Sequence, residues 1–175
     1  MPWPKWSFAF EDLSVAPYGF EWAAHTDDHS AWQLAGERIV HCPDLMGPDQ
    51  PPFWRFTANE RFLFADRNMN EVDAMEWDFL SAGHGNIGSR ADVRFALGYH
   101  RDIRAAVTEA FEANPFSDFM DPAQGSHAAW FPAQLAAVAK DAVDILRPKY
   151  GAYYGFEAST PANAELVAFT LFPFR

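Results

Sequence analysis

The chain has 175 residues, enough for one domain with a sizeable core, and 49% of them are apolar against 21% charged. That balance excludes an intrinsically disordered chain. With 24 acidic and 13 basic side chains the formal net charge is −11. A surface of that sign repels phosphate backbones and anionic lipid, so neither nucleic acid nor a membrane is expected as a partner. Cys42 is the one cysteine, so no intrachain disulfide forms, in keeping with a reducing compartment. The N-terminus lacks the apolar stretch and small-residue cleavage site of a signal peptide. No apolar run reaches the roughly 20 residues that span a bilayer. A cytoplasmic protein is expected. The 17 Phe and 7 Trp call for a thick aromatic core, an apolar pocket or a partner surface.

In chain order, residues 6–10 read as a strand, as do 19–24 (GFEWAA) and 31–34. Residues 38–42 (RIVHC) pair with 31–34 in a hairpin across Ala35-Gly36-Glu37. Pro48, Pro51 and Pro52 make 47–53 a loop. Residues 54–77 are ambiguous, with Asn70 a candidate cap for a short helix through Met75. Ser89 and Asp92 form a short-armed capping box. From there Val93, Leu97, His100, Ile103, Val107 and Phe111 mark one face of a helix through about Ala113. A second helix fits 128–147, with Pro148 following its end. Residues 161–172 suit a short helix or a closing strand. The expectation is a single α/β (α+β) domain, β-rich over 1–88 and helical over 89–175. No GxGxxG follows a strand and there is no Walker A loop, which disfavours a doubly wound nucleotide fold.

Six histidines are the main chemical resource. His25 follows GFEWAA, and His84 lies between two glycines after Asp78-Phe79-Leu80. Asp44 follows RIVHC. Two imidazoles and a carboxylate at three strand ends are sensible ligands for zinc, iron or manganese. Each also has a plainer reading: His84 as a loop residue, Asp44 as a turn former, His25 as part of a solvated turn. His29 and His41 read as structural or exposed, His100 as part of the helix face with Leu97 and Ile103, and His127 as a residue near the second helix's start.

The order of these pieces resembles the metallo-β-lactamase superfamily. His25-Thr26-Asp27-Asp28-His29-Ser30 is followed by a hairpin, then Pro43-Asp44-Leu45, then Ala82-Gly83-His84-Gly85, then Gly88-Ser89-Arg90-Ala91-Asp92-Val93. The resemblance covers roughly residues 20–113, and more loosely the helical stretch 126–147. It implies half of an αββα sandwich. It also implies His25 on a first metal, Asp44 as a bridging carboxylate and His84 on a second metal. Asp27 or Asp28 would orient a ligand from behind.

Two departures matter. The family's HxHxDH loop should precede His25, where 24 residues hold no histidine, and Gly-Asp-Leu has become Pro43-Asp44-Leu45. Half a sandwich also leaves a sheet face to cover. A homo-oligomer, or a separate chain with the missing half, is expected. Two functions follow. One is a metal-dependent hydrolase module, in which metal-bound water attacks an ester, thioester, amide or phosphate of a small-molecule substrate. The other is a non-catalytic, degenerate module that holds no ion and serves as a dimerising or small-molecule-binding scaffold. A cupin-like barrel is weaker, since a close His-x-His pair is missing.

Overall fold

The structure is a computed structural model that describes residues 7–123 and 125–174. It is a mixed α+β molecule. Six short strands form one sheet in the order of the chain: β1 (Phe8–Phe10), β2 (Leu13–Gly19), β3 (Ser30–Leu34), β4 (Ile39–His41), β5 (Phe79–Ser81) and β6 (Ile87–Gly88). All neighbours are antiparallel except β4 and β5, which run parallel. Joining parallel strands requires a crossover. It holds α1 (Trp54–Ala58) and α2 (Phe62–Asp73). Behind the sheet follow α3 (Arg90–Ala113), α4 (His127–Tyr150) and α5 (Phe156–Leu171).

Strand alternation sorts the two sheet faces. Ala31, Val40 and Leu80 point inward and pack on Ala65, Met69 and Val72 of α2 and on Val93 and Ala96 of α3. A second core joins α3, α4 and α5 around Tyr99, Ile103, Val138, Phe156 and Val167. The opposite sheet face carries a register row of Phe8, Val15, Leu34, Ile39 and Phe79. Beside it runs Pro17, Trp32, His41, Ser81 and Ile87. No helix of the described residues covers these rows: Phe79 is 54% exposed and Ile87 67%.

Several expectations need correction. The strand expected at 6–10 covers Phe8–Phe10, and Trp6 lies outside the described residues. The strand expected at 19–24 ends at Gly19 instead, and β2 begins at Leu13 despite Pro17. Since β1 pairs only with Leu13–Val15, β2 is an edge strand at Pro17, where a missing donor is tolerated. Residues 20–24 form a strap fixed by one buried amide. Asn68 accepts from the Ala24 N–H at 2.9 Å and donates to the Trp22 carbonyl at 3.0 Å. Asn70 lies within the last turn of α2 and does not cap it. Pro148 lies inside α4, which continues to Tyr150 because that ring is buried and its hydroxyl donates to Asp102 at 2.9 Å. Of the two readings for 161–172 the helix holds, as part of the longer Phe156–Leu171. The Ser89–Asp92 capping box, the helix to Ala113 and the β3–β4 hairpin are present as expected. No helix among the described residues is long and apolar enough to cross a membrane.

Candidate functional site

The parallel pairing of β4 and β5 builds the site. His41 is in register with Ser81, so both chains leave the sheet at one edge. They stay tied beyond it: the Cys42 N–H donates to Ser81 O at 2.9 Å and the Asp44 N–H to Ala82 O at 3.0 Å. Asp44 and His84 therefore face each other, with His84 Nε2 3.0 Å from Asp44 Oδ1. The close approach requires Gly83. Its φ is +85°, and a Cβ there would stand 2.9 Å from Pro43 Cβ.

His25 comes from the strap. Asn68 fixes the strap just before it, and the His29 N–H closes a turn just after it by donating to Thr26 O at 3.1 Å. His29 then donates its Nε2–H to the Pro43 carbonyl at 2.7 Å, fastening strap to Asp44 loop. His25 Nε2 lies 3.8 Å from Asp44 Oδ2. The two imidazoles thus flank one carboxylate and address different oxygens. No lysine or arginine among the described residues pairs with Asp44.

Asp44 itself sits at φ +61°. Its carbonyl accepts from Asn59 Nδ2 at 2.7 Å. Asn59 belongs to an unusual stretch: Arg55, Phe56, Thr57 and Ala58 all have φ between +50° and +62°, so α1 is a left-handed turn. Left-handed backbone costs on the order of 1 kcal/mol for each non-glycine residue. Buried amides offset the cost. Asn163 of α5 accepts from the Phe56 N–H at 2.8 Å and donates to the Pro52 carbonyl at 2.7 Å. Asn59 also donates to the Phe56 carbonyl. The turn lets one short segment touch the site twice, through Asn59 on Asp44 and through the Phe53 ring, 5.8 Å from the His84 ring.

Burial sets the supporting histidine apart. Desolvation holds the His29 imidazole below its ordinary pKa, against the opposing effect of its bond to Pro43. That favours the neutral imidazole, with its Nε2–H on Pro43. Burial pushes the Cys42 thiol up, so it is not a thiolate.

The structure brings His25, Asp44 and His84 together. It does not bring Asp27 and Asp28 with them. Asp27 pairs with Arg61, and Asp28 accepts from the Thr26 hydroxyl at 2.9 Å. His41 lies on the open sheet face against Ser81, His100 stacks on Phe62 in the core, and His127 begins α4. His29 takes the structural one of its two readings, while Phe53, Asn59 and Asn163 are the supports sequence reasoning missed. None lies in a repeating pattern that would mark it.

The donor types suit a divalent ion. Their arrangement does not enclose one. Among the described residues no group of three or more His, Cys, Asp or Glu is placed to hold a metal ion. Each oxygen of the carboxylate has one imidazole beside it, two half-sites instead of a single closed one.

No family model and no curated protein matches the chain. Among solved structures, the chain is similar to a metallo-beta-lactamase from Pontibacter korlensis, with 17% sequence identity and a TM-score of 0.48. The match covers 54% of this chain and 45% of that one, so the chain spans under half of that structure's length.

Proposed function

We propose that this chain is a module of a metal-dependent hydrolase of the metallo-β-lactamase type, with His25, Asp44 and His84 contributing donors to a divalent centre completed by another chain. The observation that carries the reading is the carboxylate of Asp44 held between two imidazoles on its two oxygens. Two half-sites with two donors each fall short of the three protein ligands common in catalytic zinc sites. The missing donors must come from outside these residues. The open sheet face beside the site supports a place for them. Its Phe, Leu, Ile and Trp rows are suited to sheet-on-sheet packing, by a second copy of this chain or by a separate chain. Zinc is the first ion to test, with iron or manganese as alternatives.

A bound divalent ion would supply Lewis-acid polarisation and activation of water. The chain's own residues supply the frame. Asn59, His29 and Gly83 set Asp44 against His84, and Phe53 walls the His84 side. The substrate class is a small ester, thioester, amide or phosphate.

The test is a hydrolysis screen over those four bond types, on protein loaded with zinc, iron or manganese and separated by size. Turnover confined to the assembled, metal-loaded fraction, and lost in His84→Ala, is the expected result. The scaffold reading draws on the absence of a three-donor group among the described residues. Stable assembly without metal uptake or turnover would establish that reading and overturn the hydrolase.

A further inference from the structure

Next to His84 lies a cleft that the metal reading leaves unassigned. Its walls come from two distant parts of the chain: Gln50 and Phe53 before α1, and Tyr153 to Ser159 at the turn from α4 into α5. It holds about 450 Å³, within the range of small-molecule sites. Phe53 is the wall it shares with the candidate site, its ring 5.8 Å from that of His84. Tyr153 lines it as well, braced by Phe95 at 4.8 Å between ring centroids. Tyr154 beside it is 83% exposed, the most exposed of the large apolar side chains described. An aromatic ring so exposed at a cleft mouth offers a stacking face.

Gln50, which lines the cleft, is closely approached by three glycines, of which Gly155 lines it too. A Cβ on Gly47 would stand 3.2 Å from Gln50 Nε2, one on Gly85 would stand 3.9 Å from the same atom, and one on Gly155 would stand 3.7 Å from Gln50 Oε1. Three chain segments, one of them the His84 loop, thus converge on the Gln50 amide. Lysine and arginine are absent from the lining, and its one charged residue is Glu157. Glu157 is already paired with Arg147, whose guanidinium lies 5.6 Å from the Phe156 ring. The lining thus offers an anionic group no lysine or arginine of its own and no unpaired cation beside its one carboxylate. A flat, neutral group finds the rings of Phe53, Tyr153 and Tyr154 and the Gln50 amide.

We propose that this cleft seats an uncharged aryl group of the substrate, so that the hydrolysed ester, thioester or amide bond is presented to Asp44 and His84 across Phe53. The assignment rests on the hydrolase reading for the identity of the bond. The aryl site itself is testable without it.

The probe is 2-naphthol, with 2-naphthalenesulfonate as its anionic twin, titrated into the metal-free full chain and followed by ligand-observed NMR. Saturable 2-naphthol binding is expected, weakened about tenfold in Tyr154→Ala and in Phe53→Ala. Phe169→Ala, an exposed aromatic that lines a separate groove, should bind as the parent does. Cross-relaxation from the bound probe to the His84 ring protons should place it beside the site. The sulfonate should bind more weakly. Absence of saturable binding, or binding indifferent to Tyr154→Ala, or equal binding of the sulfonate, would overturn the proposal. Metal uptake and turnover without aryl binding would remove the cleft assignment alone. Aryl binding retained in a chain that takes up no metal would remove the hydrolase reading and leave the cleft.

Discussion

His84 and Asp44 face each other at 3.0 Å because the two strands that precede them run parallel and in register. The contact is a product of topology: each residue lies three positions beyond the His41–Ser81 pair. The His84 side chain is 61% exposed, so the fold gains little from it. His84→Ala should leave stability within about 0.5 kcal/mol of the parent while eliminating metal uptake. Circular dichroism melts together with elemental analysis check both halves of that expectation.

Gly83 is where backbone geometry sets the site. An alanine there meets Pro43 and must hold a φ of +85°. Gly83→Ala should destabilise the chain by about 1–3 kcal/mol and move His84 away from Asp44. Urea unfolding measures the first effect. The second is read from the distance-dependent NMR contacts of the His84 ring.

Asn59 ties the left-handed turn to the Asp44 loop from a fully buried position. Asn59→Ala leaves the Asp44 and Phe56 carbonyls without this donor, at a cost of about 1–3 kcal/mol. Asn163→Leu should cost a similar amount, because it strips a partner from the Phe56 N–H and from the Pro52 carbonyl. An effect below about 0.5 kcal/mol in both would show that the turn is not held by these amides.

Two buried imidazoles set the pH response. His29 and His100 are both held below the ordinary imidazole pKa of 6.5, chiefly by desolvation. The unfolded chain therefore takes up their protons first as pH falls. Their contribution is intact above 6.5 and is lost progressively as pH drops toward the folded-state values. The urea midpoint should fall between pH 7 and pH 5, and His100→Gln should flatten part of that fall. A midpoint that rises over this window would contradict the assignment.

The open face of the sheet carries the partner claim. Phe79 and Ile87 lie on it and are both more than half exposed. The chain weighs 19.7 kDa, so light scattering of the purified protein should return a multiple of that mass or a mixed complex. Phe79→Lys combined with Ile87→Lys should shift the population to the single-chain mass. A single-chain mass for the parent at micromolar concentration would count against the assembly.

The site was more legible in the sequence than the scaffold that holds it. His25, Asp44 and His84 stand out because each follows a short apolar run, and Asp44 and His84 also lie next to proline or glycine punctuation. The helix from Arg90 was legible through its capping box and its three- and four-residue steps. Local pattern failed where tertiary contacts decide the backbone. GFEWAA has strand-like residues, yet Asn68 takes its backbone groups and turns it into a strap. The stretch 54–58 has no glycine to announce a left-handed turn, and the residue that holds it, Asn163, is 107 positions from Phe56. Pro148 reads as a helix end, but the burial of Tyr150 carries the helix past it.

Metal content, measured by elemental mass spectrometry on size-separated protein after gentle dialysis, tests the central claim most directly. About one or two equivalents of zinc, iron or manganese per site are expected in the assembled fraction. That metal should be lost in His25→Ala and in Asp44→Ala, with the single-chain fraction nearly empty. No metal in either fraction after incubation with excess ions would contradict it.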